Sequence, residues 1–210
     1  MKVHNNLKQG TPEWLAFRFE KVSGTRFGRA ISSKKDVRQG LIFDLIAEKY
    51  STHKKENYAS PEMARGTDEE KFAAEAYAER FDVELEVVDI CQHDTYDWLM
   101  FSPDRFTNNR KKYLEIKCPD SATMVGYTID GKIPSKYQGQ VLLSFIVNEE
   151  QEEAELVIFD ARFKEYKHQM TVIKVTREES KEAIEDAKKK LELFRKEWEE
   201  VDRVYQDLIF

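Results

Sequence analysis

Cysteine is scarce: Cys91 and Cys118 are the only two in 210 residues. That excludes a disulfide framework, and their separation excludes a paired-cysteine zinc motif. The four histidines, His4, His53, His93 and His168, are scattered and form no ligand set. No apolar run approaches the roughly 20 residues of a membrane span. Residues 1–10 are polar and carry no apolar signal core, so the chain is expected in the cytoplasm and away from membranes. A basic excess is missing too. The net charge of −6 excludes a protein that coats nucleic acid with its whole surface. It leaves open an enzyme with a local basic channel on an acidic body. Repeats and low-complexity stretches are absent.

What is present suits one globular unit. Hydrophobic residues make up 40% of the chain, aromatic residues 12% and charged residues 35%, enough bulk for a sizeable core under a well-solvated surface. We expect a single domain over residues 1–210. Residues 178–210 would form a C-terminal helix that packs on the body or on a neighbouring subunit.

Thr11-Pro12-Glu13 reads as a helix start, with Thr11 as cap and Pro12 in the first position. A break at Val22-Ser23-Gly24 precedes a second helix containing Phe27 and Ile31, for which Thr25 is the expected cap. Leu41–Tyr50 is an amphipathic helix, Ser51–Ser60 a polar loop, and Pro61–Phe81 a long helix. On the last, Glu70, Ala74, Tyr77 and Phe81 share one stripe, and a carboxylate on an inward stripe needs a partner or a metal. Val83–Ile90, Trp98–Phe101 and Tyr113–Cys118 read as strands, the latter two as a hairpin or meander turning near Asn108-Asn109. Ser135–Val147 is a helix, and Glu155–Phe159 and Met170–Val175 are strands. The last segment repeats Ala183, Ala187, Leu191, Phe194, Trp198 and Val201 at helical spacing. This order implies an α/β (α+β) fold with a central mixed β-sheet flanked by helices.

The chemistry concentrates in Ser102-Pro103-Asp104 and Leu114-Glu115-Ile116-Lys117-Cys118-Pro119. Alternate residues of a strand share a face. Glu115 and Lys117 therefore project together, while Leu114, Ile116 and Cys118 point into an apolar layer. A hairpin can set Asp104 beside Glu115. Adjacent carboxylates repel, and a divalent metal is their natural counter-charge. Lys117 could neutralise charge developing on a phosphate or hold an attacking water. Arg105, Arg110, Lys111 and Lys112 form a basic cluster around the hairpin that could meet a DNA backbone.

This Asp, spacer, Glu-x-Lys arrangement resembles the PD-(D/E)XK nuclease superfamily. Together with Gly10-Thr11-Pro12-Glu13-Trp14-Leu15-Ala16-Phe17-Arg18, Arg65-Gly66-Thr67-Asp68-Glu69-Glu70 and Tyr137-Gln138-Gly139-Gln140-Val141, it resembles the lambda-exonuclease and YqaJ-type viral recombinase branch, from about Gly10 to Phe163. The resemblance implies a restriction-endonuclease-like fold. It makes Asp104, Glu115, the Ile116 carbonyl and Glu70 metal ligands, with Glu69 as the competitor of Glu70. Lys117 would be the catalytic lysine. Gln140 would contact the reaction centre, with Gln138 close enough to compete. Arg18 and Thr25 match positions that bind a 5′-terminal phosphate. Arg105 stands where relatives often have glycine, which leaves the local loop shape open. The implied cofactor is Mg²⁺, two ions, with Mn²⁺ as a substitute. The implied activity is 5′→3′ digestion of double-stranded DNA ends, leaving 3′ single strands for phage recombination. The implied partners are other copies in a trimeric ring and a single-strand annealing protein. The alternatives are a structure- or site-specific endonuclease of the same superfamily, a catalytically inactive DNA- or partner-binding module, and an acidic metal-binding or scaffold protein of unrelated fold.

Overall fold

The computed structural model describes residues 1–51 and 61–209. The loop expected over Ser51–Ser60 therefore lies outside the described residues, apart from Ser51. Seven strands and seven helices follow in the order β1 (Lys2–His4), α1 (Pro12–Phe17), α2 (Gly24–Ala30), α3 (Lys35–Tyr50), α4 (Pro61–Phe81), β2 (Ile90–Gln92), β3 (Met100–Phe101), β4 (Arg105–Thr107), β5 (Lys112–Lys117), α5 (Ser121–Asp130), α6 (Ser135–Val147), β6 (Glu153–Phe159), β7 (Met170–Thr176) and α7 (Lys181–Ile209).

Two sheets form among these residues. The smaller has the order β1-β2-β3 and is antiparallel throughout. The larger has the order β4-β5-β6-β7, and only its central pair, β5 and β6, runs parallel. A parallel pair needs a long crossover, which α5 and α6 supply. The mixed α/β architecture expected from the sequence is thus the one observed.

Three strand expectations need correction. The partner of β5 is not the expected Trp98–Phe101 strand, whose observed part, β3, lies in the smaller sheet, and Asp104 belongs to neither. It sits just before β4, and β4 pairs with β5 through Arg105↔Leu114. The turn is where it was expected, with Asn108, Asn109 and Arg110 all at positive φ, between 53° and 67°. Residues 83–89 form no strand. The ladder has room there for a single bridge, Glu86↔Phe106, because β4 is only three residues long. Trp98 and Leu99 lie outside β3, although Leu99 bridges to Val22.

Helix starts follow local chemistry. The Trp14 N–H donates to the Thr11 hydroxyl, and Pro12 opens the first turn of α1. α2 starts two residues earlier than expected, with Ser23 at the cap position and Thr25 inside the helix. α5 was not anticipated, because Val125, Tyr127, Thr128 and Ile129 favour strands. Asp120 accepts from the Thr123 N–H at one end, and Gly131 closes the other in the left-handed conformation at φ 59°.

The main core lies between the sheets and α2, α3, α6 and α7. α7 buries Ile184, Ala187, Leu191, Phe194 and Trp198 on one stripe, packed against α3 and α6. The stripe runs through Ile184 and leaves Ala183 exposed. On the other face of the larger sheet, Ala73, Ala74 and Tyr77 of α4 pack on Leu114, Ile116, Val157 and Phe159. Phe81, expected on the same stripe, is exposed.

Candidate active site

β5 has two chemically different faces. Leu114 and Ile116 enter the apolar layer under α4, while Tyr113, Glu115 and Lys117 face α6. Glu115 is 1% exposed, so its carboxylate must be satisfied from within the protein. Gln140 Nε2, on α6, donates to Glu115 Oε1 at 2.7 Å, and the Tyr113 hydroxyl donates to Oε2. Gln138 instead donates to the Ile133 carbonyl, where it pins the start of its own helix.

Asp104 is placed by the backbone of β5: the Ile116 N–H donates to Asp104 Oδ2 at 2.6 Å. Lys117 Nζ then lies among three oxygens, 2.5 Å from Glu115 Oε1, 2.8 Å from the Ile116 carbonyl and 3.5 Å from Asp104 Oδ2. The two acids on the last turn of the Arg65–Glu70 motif part ways. Glu69 pairs with Arg65 at 2.7 Å, whereas Glu70 lies 3.3 Å from Arg105 Nη1 and feels Asp104. Arg105 also donates to the backbone carbonyl of Asp104.

Burial dominates the electrostatics of the cluster. Glu70 and Glu115 are both raised, to about 7, first by burial and then by neighbouring carboxylates, against the pull of the cations. Burial works to lower Lys117, but Asp104 and Glu115 overcome it and hold the ammonium strongly protonated. Cys118 borders the same cleft, but burial pushes its thiol up to about 12, so no thiolate nucleophile is available near neutrality.

Among the described residues, no three His, Cys, Asp or Glu side chains converge as placed on one point that could hold an ion. The oxygens of Asp104, Glu115 and Ile116 converge on the lysine ammonium. That set is all oxygen and anionic, the chemistry hard divalent cations prefer. The residues present therefore fit such an ion, provided that the flexible lysine stem gives way.

The cleft, about 590 Å³, extends from these groups to Trp14, Arg18, Ser23, Gly24 and Thr25. The Arg18 guanidinium lies over the Trp14 ring, 4.1 Å from its centroid, and donates to the Ser23 hydroxyl at 3.1 Å. Ser23 and Thr25 hydroxyls lie 3.4 Å apart. Among the described residues no carboxylate pairs with Arg18. Burial and the nearby Arg26 lower it to about 10, still charged at neutral pH. A half-buried guanidinium with no carboxylate partner among the described residues, beside two hydroxyls, is a ready anion site. Ser23 was missed as a member of this group. Its position before a helix start was the available signal, and its side chain makes no cap bond and instead accepts from Arg18.

The two ends of the cleft touch. A Cβ on Gly24 would lie only 3.1 Å from Gln140 Cγ, so glycine permits the close approach of α2 to α6. The structure thus brings Arg18, Thr25, Glu70, Asp104, Glu115, Ile116, Lys117 and Gln140 to one cleft. The basic cluster of the hairpin behaves differently. Arg105, Arg110, Lys111 and Lys112 each pair with a glutamate, namely Glu70, Glu86, Glu152 and Glu155 respectively, which argues against a free basic patch there.

Residues 13–151 match the model of the YqaJ-like viral recombinase domain. Among solved structures, an alkaline exonuclease (LHK-Exo) from Laribacter hongkongensis is similar with a TM-score of 0.78 and 24% identity, covering 94% of this chain and 100% of that one. LHK-Exo in complex with dAMP gives 0.76 and 22%, with coverage of 94% and 100%. A phage related exonuclease from Haemophilus somnus 129PT gives 0.70 and 13%, covering 90% and 96%. At these identities the likeness speaks to the fold. None of the curated protein sequences matches the chain. Among the described residues no helix is long and apolar enough to cross a membrane.

Proposed function

The chain belongs to the YqaJ-like viral recombinase domain family, and from that premise we propose that it is a metal-dependent deoxyribonuclease that digests linear double-stranded DNA from 5′ ends. The observation that carries this reading is the single cleft with an acid–lysine cluster at one end and, at the other, an arginine beside two hydroxyls with no carboxylate partner among the described residues. The dAMP complex of a structurally similar exonuclease supports a nucleotide as occupant.

Asp104, Glu115 and the Ile116 carbonyl would hold one Mg²⁺, with Glu70 reaching towards a second and Mn²⁺ as substitute. Bound there, the metal would act as Lewis acid on a phosphoryl oxygen and acidify a water. The rest of the work belongs to the chain itself. Lys117, freed from its three oxygens, balances charge that develops at the scissile phosphate. Gln140 and Tyr113 fix both oxygens of Glu115, and the Ile116 N–H fixes Asp104, so the acids are oriented before substrate arrives. Arg18, Ser23 and Thr25 take the terminal 5′-phosphate, which registers the first phosphodiester against the acids. Contacts to phosphate and not to base edges make the cleavage independent of sequence. Assembly of three copies into a ring and transfer of the 3′ strand to a single-strand annealing protein complete the proposal; light scattering in solution tests the first.

The deciding experiment uses linear duplex labelled at one 5′ or one 3′ end, alongside closed circular DNA, with and without Mg²⁺. We expect early release of the 5′ label only with Mg²⁺, and intact circles. Cutting of circles would favour an endonuclease. An absence of turnover with either Mg²⁺ or Mn²⁺ would mean a binding module.

A further inference from the structure

Two cationic side chains of the protein sit on the acids of the cleft, and they are held in different ways. Lys117 is a compact ammonium on a flexible stem. Arg105 is a planar fork at the first residue of β4, only 17% exposed, bonded to both the Glu70 carboxylate and the Asp104 backbone carbonyl. It ties α4 to the chain segment that carries the strand acid. A lysine can swing away from its oxygens by rotation of its own stem, and an incoming divalent ion can replace its charge there. Arg105 instead points one nitrogen, Nη1, at both the Glu70 carboxylate, 3.3 Å away, and the Asp104 carbonyl, so that moving it breaks both contacts at once. Its guanidinium stays charged at every pH the protein tolerates. A divalent ion reaching for Glu70 would meet that charge at close range.

We infer that Arg105 is the resident counter-ion of Glu70, withholding this carboxylate so that the DNA-free chain takes a divalent ion at Asp104, Glu115 and Ile116 but not a second one at Glu70. The inference rests on the metal-dependent reading above and refines it: Arg105 is a positioning residue that sets how many ions the site accepts.

The test is Mn²⁺ titration of the full chain without DNA, with free Mn²⁺ read by electron paramagnetic resonance and folding checked by thermal melts. Wild type is expected to bind about one ion per chain. Arg105→Gly is expected to bind about two, the second tighter than in wild type by on the order of tenfold or more, the usual reach of a group that borders metal ligands. Arg105→Lys keeps the charge but gives up the fork, so its second ion should be of intermediate affinity; it decides the matter if the glycine variant fails to fold. Glu70→Gln placed on Arg105→Gly should return the count to about one. Two equally tight ions in wild type, or an Arg105→Gly count unchanged at one, would overturn the inference and leave the metal-dependent reading standing. No Mn²⁺ binding by any variant would overturn both. A second ion that survives Glu70→Gln would show that Glu70 is not what Arg105 withholds.

Discussion

Strand β5 has a lysine at each end, and each sits between carboxylates, on opposite faces of the sheet. At the start, Lys112 lies 3.1 Å from Glu155 and 3.4 Å from Glu153, and Lys174 also bonds Glu153. Two cations serve two acids there, and the Tyr77 hydroxyl takes up another oxygen of Glu155 at 2.5 Å. Glu153 is lowered, chiefly by its bond from Lys174. At the other end, three acids, Glu70, Asp104 and Glu115, face two cations, Lys117 and Arg105, and the two glutamates are raised. Residue types and distances are alike; the charge balance is not. A balanced cluster holds a fold together, whereas one left with surplus negative charge is prepared for something that arrives from outside.

The largest effect that could break this comparison is at Lys117. Lys117→Ala should reduce cleavage of linear duplex by about two to three orders of magnitude, the usual cost of removing a preorganised stabiliser of developing charge, with an unchanged circular dichroism spectrum. A folded variant that keeps its rate would remove Lys117 from the chemistry. Next comes Arg18→Ala. It should lower the rate advantage of 5′-phosphorylated over 5′-hydroxyl ends by about tenfold, the scale of one hydrogen bond to a charged group. If wild type shows no such advantage, the anion pocket loses its function.

A smaller effect is thermal. The raised acids favour the folded state when protonated, a contribution fully present below their ordinary value of 4.5 and lost as pH rises through about 7. A divalent cation should compensate for that loss. Mg²⁺ or Mn²⁺ should therefore raise the melting temperature by several degrees at about pH 8, at roughly 2–4 °C per kcal/mol for a chain of this size, and by less at about pH 5. Scanning calorimetry at the two pH values checks the sign; an equal gain at both would contradict it. Smallest of all in its effect on activity is Lys112→Ala, which should leave cleavage unchanged and cost about 1–3 kcal/mol in denaturant unfolding, because Glu155, only 7% exposed, loses its cation. A large loss of activity would erase the distinction between the two ends.

The working strand was legible because a period of two is a strong signal: Leu114 and Ile116 inward to one layer, Glu115 and Lys117 to the other. Pro61–Phe81 and Ser135–Val147 were legible from their helical stripes. What failed were cases where tertiary context outweighs local preference. Residues 83–89 look like a strand, yet Val87 is 64% exposed, because β4 offers only one bridge. α5 contains strand-favouring residues, and the bracket formed by Asp120 and Gly131 was the signal for it. Arg105 could be seen as a departure from glycine, but its partner could not. Glu70 and Arg105 are far apart in sequence, and only the docking of α4 on β5, the neighbour of β4, joins them.

The contact between Gly24 and Gln140 has a mechanical consequence. Gly24 is flanked by the two hydroxyls that would greet a terminal phosphate, and Gln140 grips the carboxylate that would serve the reaction. The Gln140 side chain itself is what lies against Gly24, with its Nε2 on Glu115. A shift of α2 on loading would press first on Gln140, and through it on Glu115. Arg18→Ala and Gln140→Ala should then combine non-additively in single-turnover rates; strict additivity would mean that the two ends work independently.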